Sequence, residues 1–429
     1  GYWAWDPVEN ASFLPWLTAT AALHSALLVE RKGVLKGWTI TLVQASFLLT
    51  ILGTFMTRSG VFNSVHSFTQ SAIGPTLLAF LAGALLFSVA LLALRVDRLA
   101  GEATLLGARS RDGMFLLNNL LLVLFTFTVL LGTVFPLVVE AVRGVQMSVG
   151  RPYFDRMAAP LGVALLLLMG VGPALPWGTA TAGQLRRALL PPLAGALAST
   201  ALGYALGVRN GWTLVTLAFG GYTAQVTLRE LWLPLRRRMS RGGEGLARAL
   251  VETQRHSRRR TGAYVVHAGV VLIVIAIAVS STMGYDAEVR LRAGESAEIG
   301  PYRLTFLGAD EVREPHRTSL VARVEVAREG RPVAVLGPRM NHYDTQREPI
   351  GTPAVRTGFG HDLYLSILNV DPATQTLGLH ALVNPMVGWI WIATGIMAFG
   401  GVLALLPVRR RGAAAVPAGA PATAQPEAP

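Results

Sequence analysis

Nine runs of mostly apolar residues recur along the chain, at roughly 12–29, 39–56, 75–94, 115–138, 160–178, 188–206, 211–228, 263–281 and 385–407. Each approaches the ~20 residues an α-helix needs to cross the hydrocarbon layer of a membrane. The polar connections between them alternate in basic charge. Arg31, Lys32 and Lys36 follow the first run, Arg95, Arg98, Arg109 and Arg111 the third, and Arg186 with Arg187 the fifth. Arg229, Arg236, Arg237, Arg238, Arg241, Arg248, Arg255, Arg258, Arg259 and Arg260 crowd the seventh, whereas the second and sixth hold only Arg58 and Arg209. The fourth, with Arg143, Arg151 and Arg156, follows the alternation least well. Basic loops remain cytoplasmic, so the odd connections are expected inside, the N-terminus outside and the C-terminus inside.

Between the eighth and ninth runs the period changes from helical to alternating. Val289 and Leu291, then Tyr302, Leu304 and Phe306, then Val324 and Val326, then Leu363, Leu365 and Ile367 recur at spacing two, the signature of half-buried strands. The fold class predicted is an all-α polytopic membrane protein of about nine transmembrane helices with a small extracytoplasmic β-domain. Its parts are an eight-helix membrane domain with an aromatic opening segment over 1–283, the β-domain over 284–380, a last transmembrane helix over 381–411 and a tail over 412–429. The Ala/Pro-rich tail lacks the apolar residues to bury a core and is expected to be disordered. No repeat of solenoid period is visible.

Composition sharpens this picture in three respects. With 52% hydrophobic and 15% charged residues and a mean hydropathy of +0.45, the chain is too apolar for a soluble globule of its length, so membrane lipid is its expected surrounding. The net charge of +13 does not mark a nucleic-acid binder, because the arginines sit at the ends of apolar runs and not on one polar face. The absence of cysteine excludes thiolate metal sites, Cys nucleophiles and disulfides. Metal and redox chemistry then fall mainly to histidine.

Two of the eight histidines lie within apolar runs, His24 in the first and His267 in the eighth. A polar imidazole in hydrocarbon is costly and marks a functional candidate. His24 precedes Arg31 by seven residues and His267 follows Arg260 by seven, which at 1.5 Å rise per residue puts both rings roughly 10 Å inside the cytoplasmic boundary. Two imidazoles at one depth on different helices suit bis-histidine ligation of a haem b, while each alone would serve equally to hydrogen-bond across a helix interface. Ala21, Ala22, Ser25, Ala268 and Gly269 leave room for a flat macrocycle. His66 lies in the outer segment after the second run, where Arg58 is a candidate partner for a propionate or a plain membrane anchor. Asn118 and Asn119 are expected to bridge helices. His256 sits in the arginine run, and His316, His342, His361 and His380 are too widely spaced for a metal site.

The chain opens GYWAWDPVENASFLPWL, with Trp3, Trp5 and Trp16 around Asp6, Pro7, Glu9 and Asn10. An interfacial aromatic belt needs no such density of indoles and acids, whereas a large planar ligand does: indoles offer rigid faces for stacking. The chain starts inside this motif without an initiator Met, which predicts functional residues upstream of Gly1.

WAWDPVENASFLPWL resembles the tryptophan-rich WWD signature of haem-handling membrane proteins. Together with LGTFMTRSGVFNSVHSF at 52–68, GTVFPLVVE at 132–140, SVGRPYFD at 148–155 and GAYVVHAGV at 262–270, it makes the chain similar to the F-type haem lyases of the cytochrome c maturation system. The resemblance runs from Gly1 to the tail and is weakest in the β-domain. It implies that His24 and His267 ligate a stable haem b. It also implies that His66 is one of two outer histidines on the iron of an incoming haem, and that Trp3, Trp5, Asp6 and Trp16 cradle that haem. The leading Trp of the signature and the second outer histidine would fall upstream of Gly1, and Leu14 stands where Met is common, a volume-conserving change. The implied activity is attachment of haem, received from the chaperone CcmE, to the CXXCH thiols of an apocytochrome c. CcmH/CcmI-type proteins are the implied thiol-handling and apocytochrome-binding partners, a quinol the electron donor, and the bacterial inner membrane the location. Two other readings share these residues: a haem exporter or carrier that forms no bond, and a b-type electron-transfer subunit, which would leave the outer tryptophans and His66 without a role.

Overall fold

The computed structural model describes residues 3–61, 73–99, 107, 109–145, 147–344 and 348–407. His66 and the tail from residue 408 lie outside the described residues. The helices are α1 (Pro7–Lys32), α2 (Lys36–Arg58), α3 (Gly74–Leu94), the short α4 (Val96–Leu99), α5 (Arg111–Arg143), α6 (Arg151–Ala174), α7 (Ala182–Leu189), α8 (Leu193–Ala205), α9 (Gly211–Gly242), α10 (Leu246–Met283) and α11 (Val387–Leu405). Among the described residues, eight segments are long and apolar enough to cross a membrane: α1, α2, α3, α5, α6, the α7–α8 unit Ala182–Ala205, α10 and α11. α1 packs on α2 and α5, and α5 on α6; α9 packs on α6, α8 and α10, and α10 on α11. α9 and α6 thus join two groups of helices.

The seventh predicted span, 211–228, forms the first half of α9, but α9 is not among the segments apolar enough to span by composition. The reason lies in its partners. α7 and α8 are one span broken at Pro191 and Pro192, which frees backbone groups that hydrocarbon cannot satisfy. α9 supplies the missing partners: Gln225 accepts from the Gly195 N–H at 2.6 Å and donates to the Pro191 carbonyl at 3.1 Å, and the Tyr222 hydroxyl donates to the Leu189 carbonyl at 3.2 Å. Thr223 donates to the Leu166 carbonyl of α6 at 2.7 Å. The polarity that lowers its hydropathy is what lets α9 pack at the centre.

α10 begins at Leu246, well before its apolar run, and bends at Ser257 (φ −136°, ψ 29°). Its apolar half meets α11 through small residues. A Cβ on Gly262 would lie 2.5 Å from the Gly400 carbonyl oxygen, and one on Gly269 would lie 2.4 Å from Met397 Cγ and 2.9 Å from the Ala393 carbonyl oxygen. Close helix contact of this kind depends on missing side chains.

Among the described residues, ten strands separate these two helices: β1 (Tyr285–Arg292), β2 (Ser296–Ile299), β3 (Tyr302–Glu314), β4 (Arg317–Arg328), β5 (Arg331–Leu336), β6 (Arg339–Tyr343), β7 (Ile350–Thr352), β8 (Ala354–Arg356), β9 (His361–Asp371) and β10 (Thr376–Pro385). They form a sandwich of two antiparallel sheets, β1-β10-β9-β8 and β2-β3-β4-β6-β7, with β5 added to β4. The inward positions Leu304, Phe306, Val324, Val326, Leu363, Leu365, Leu377, Leu379 and Val383 make one core. The expected end of the domain at 380 is corrected to Pro385. Ala381 and Val383 continue the inward alternation of β10, and in sequence their apolar character is continuous with the helix that follows. α11 starts at Val387 after Met386, which takes a left-handed φ of +61° and donates its N–H to the Gly360 carbonyl at 3.0 Å. The Trp389 indole donates to the Phe359 carbonyl, also at 3.0 Å, so the loop before β9 is clipped to the head of α11.

Candidate functional site

His24 comes from α1 and His267 from α10, one from each group of helices. Their ring centres are 6.5 Å apart and the planes differ by 28°. Two imidazole nitrogens that each sit about 2 Å from a shared metal bring ring centres to roughly 6 Å. His24 Nδ1 lies 2.9 Å from the Thr20 carbonyl oxygen. A carbonyl only accepts, so Nδ1 carries the proton and Nε2 keeps the lone pair a metal needs. His267 Nδ1 is enclosed without a hydrogen-bond partner, a cost that folding alone does not explain. The donor set, its separation and the orphaned nitrogen fit a haem iron held between the two histidines.

Aromatic side chains surround the pair. Tyr264 stands edge-on to His267 at 6.1 Å and Phe115 lies 5.8 Å from His24. Phe115 stacks on Trp177 at 5.8 Å, and Trp177 is faced by the guanidiniums of Arg31 at 4.3 Å and Arg111 at 5.3 Å. The Tyr264 hydroxyl donates to Glu230 at 3.1 Å, and Arg260 pairs with the same carboxylate at 2.6 Å. Asn118 and Asn119, expected to bridge helices, do not. Both Asn119 amide atoms and the Asn118 amide nitrogen are buried with no partner, about one turn beyond Phe115 on α5.

The opening motif is built on the start of α1. Asp6, expected to cradle a ligand, is the N-cap: it accepts from the Val8 N–H at 2.9 Å, and Glu9 reaches back to complete the capping box. Pro7 fills the first helical position, where its missing N–H costs nothing. Trp3 and Trp5 meet edge to face at 6.0 Å, and both touch Phe13, which stacks on Trp16 at 5.7 Å. Trp3 Nε1 is buried without a partner, whereas Trp16 is 47% exposed. Asn10 faces inward, donating to the Trp5 carbonyl at 3.2 Å and to Thr133 at 3.0 Å. Arg58 is the last residue of α2.

Sequence reasoning missed the residues beneath this shelf. Trp5 stacks on Phe154 of α6 at 5.1 Å and 11°, and its indole N–H donates to Asp155 Oδ1 at 2.7 Å. Phe125 of α5 meets Phe13 edge to face at 5.4 Å. An acid after an aromatic pair in the first turn of α6 is the available signal, but nothing in the sequence says which indole it would meet.

Comparison with known proteins extends the picture to the whole chain. Residues 1–62 match the cytochrome C assembly protein family, residues 282–385 the CcmF C-terminal beta-sandwich and residues 223–312 a ResB-like family. The cytochrome c-type biogenesis protein CcmF of Pseudomonas aeruginosa is 35% identical over 414 residues, which cover 96% of this chain and 61% of that protein. CcmF of Escherichia coli is 34% identical with the same coverages. A solved structure of the cytochrome c heme lyase CcmF superposes with a TM-score of 0.73 at 33% identity, covering 95% of this chain and 61% of that one. The chain therefore spans about three-fifths of the length of these relatives.

Proposed function

The chain belongs to the CcmF family of cytochrome c-type biogenesis proteins, and from that premise we propose that it is the haem lyase of a cytochrome c maturation system. Haem delivered by the chaperone CcmE is the substrate. Each cysteine thiol of a CXXCH motif in apocytochrome c adds across one vinyl group of it, a step that forms a thioether and releases nothing. The work of this chain is positioning. His66 holds the substrate iron from one side, while Trp3, Trp5 and Trp16 present a rigid aromatic face. Asp6 fixes that face through the helix cap, and Arg58 meets a propionate.

His24 and His267 would hold a resident haem b, which when bound would supply one-electron chemistry to keep the substrate iron ferrous, with a quinol as donor. The ring separation of 6.5 Å is the observation that carries this part of the reading. Thr20 orients the His24 ring for the metal. The protein would lie in the bacterial inner membrane, with the opening motif and the β-sandwich on the periplasmic face, where apocytochrome c and CcmH/CcmI-type partners dock.

Coexpression of the whole gene product with an apocytochrome tests the reading. Covalent haem that survives denaturing electrophoresis is expected, and it should vanish in His66→Ala while the membrane-haem spectrum persists. A low-spin b-type spectrum should be lost in both His24→Ala and His267→Ala. Unchanged covalent haem in His66→Ala would overturn the lyase assignment of that residue, and an unchanged spectrum in either of the other variants the haem b site.

A further inference from the structure

Beyond the aromatic side chains that surround the histidine pair, a concave pocket of about 300 Å³ opens at the helix ends, where α5 begins, α6 stops and α7 and α9 pass. Arg111, Arg187, Arg229, Gln184 and Glu230 line it together with Pro173, Leu175 and Ala188. Three arginines from three separate segments thus line one space. Glu230 does not offset them, because it already pairs with Arg260 at 2.6 Å and accepts from Tyr264. Arg111 donates to the Leu175 carbonyl at 3.1 Å and to that of Pro173, which fixes it in the wall. No described residue pairs with Arg187 or Arg229. Like charges brought together without a counter-charge repel unless an anion occupies the space between them.

We infer that this pocket binds the phosphate of an anionic phospholipid headgroup from the adjoining leaflet. Guanidinium forks match phosphate oxygens in geometry and charge, and basic pockets between transmembrane helices are sites of that chemistry. Two features favour a lipid over a free anion. The pocket lies at the membrane boundary, beside Trp177, whose ring is faced by Arg31 and Arg111. The α7–α8 unit that supplies Gln184 and Arg187 continues into Leu190, Leu193 and Leu197, which are exposed, so acyl chains have an apolar wall beside the headgroup. The lipid would tie the free end of α7 to α5 and α9 and so brace the broken α7–α8 span.

Native mass spectrometry of the intact protein, purified from membranes rich in phosphatidylglycerol and cardiolipin, tests this directly. The wild type should retain anionic lipid, and it should unfold several degrees higher in phosphatidylcholine nanodiscs supplemented with phosphatidylglycerol. Arg187→Gln/Arg229→Gln should lose most of the bound lipid and most of that shift. Arg236→Gln/Arg237→Gln, with the same charge change on exposed positions of α9 outside the pocket, should keep both. Equal retention in the two double variants would overturn the site. A full shift from millimolar inorganic phosphate, with no lipid retained, would overturn the lipid as its ligand.

Discussion

At the scale of single residues, Trp5 carries the clearest signature of a constraint. Its φ of +60° lies in the left-handed region, which costs a non-glycine residue of order 1–3 kcal/mol and persists only where the surroundings over-determine it. Here Phe154 fixes the plane of the ring, Asp155 its edge and Asn10 its carbonyl. Removing the charge at Asp155 should let the indole swing without unfolding anything, because Asp155 is itself exposed. Asp155→Asn is expected to lower the yield of covalent haem several-fold, about what a charge-assisted hydrogen bond at a partly wet site supplies. The b-type spectrum should be unchanged, and Asp155→Glu should recover part of the loss; a normal yield in both variants would show that the shelf does not need the contact. In the β-sandwich, Glu314 presents a pH-dependent case. The hydrogen bond from Arg317 at 2.6 Å, with Arg339 nearby, holds its carboxyl below the usual glutamate value. A depressed carboxyl adds stability above its unfolded pKa of about 4.3, and that stability is lost as pH falls through the lower folded value. The pair is on the surface, so the effect should be small and weakened by salt. Hydrogen exchange of the β3–β4 hairpin in the intact protein should lose protection below about pH 4 in the wild type, and Glu314→Gln should flatten that dependence.

At the scale of helices, the placement of His267 depends on Gly269, two residues further along α10. A side chain there would meet Met397 Cγ at 2.4 Å and the Ala393 carbonyl oxygen at 2.9 Å. One of these is backbone, so the two helices must part. Gly269→Val should therefore displace His267 from His24 and abolish or broaden the b-type absorbance. Gly395→Val in α11, where a Cβ would find nothing within 4 Å, should leave the spectrum intact. Equal spectra in the two variants would mean that the α10–α11 contact does not set the ring position. The same scale shows where hydrophobic periodicity succeeds as a guide and where it stops. Runs such as Leu77 to Leu94 are apolar all round and read directly as a span, because α3 covers almost none of its surface with protein. α9 reads weakly because a helix at the centre of a bundle can carry Thr, Tyr and Gln on the faces that meet other backbones. Hydropathy measures agreement with lipid, and α9 is fitted to protein.

At the scale of the whole molecule, the histidine pair was legible in the sequence because depth in a bilayer is a count along a helix from a charged flank. The floor of the tryptophan shelf was not, since Phe154 and Asp155 reach Trp5 across some 150 positions, and that pairing is set by which helices adjoin. The topology also keeps the β-sandwich separable from the helices. β1 follows α10 directly and β10 leads into α11, and Tyr285 pairs with Val383 across adjacent antiparallel strands. The two ends of the sandwich are thus only about 5 Å apart, on two helices that already touch through Gly262 and Gly400. A short Gly/Ser linker replacing residues 286–382 can close that gap without moving either helix. The sandwich core is its own, made of residues from β1, β2, β3, β4, β9 and β10, so its removal exposes little of the bundle. The shortened protein should keep a low-spin b-type spectrum that still depends on His24 and His267, and it should lose covalent attachment if partners dock on the sandwich. If the spectrum vanished with the domain while the protein still inserted and remained monodisperse, α10 and α11 would need the sandwich to stay in register, and the haem b site would be a property of both halves of the molecule.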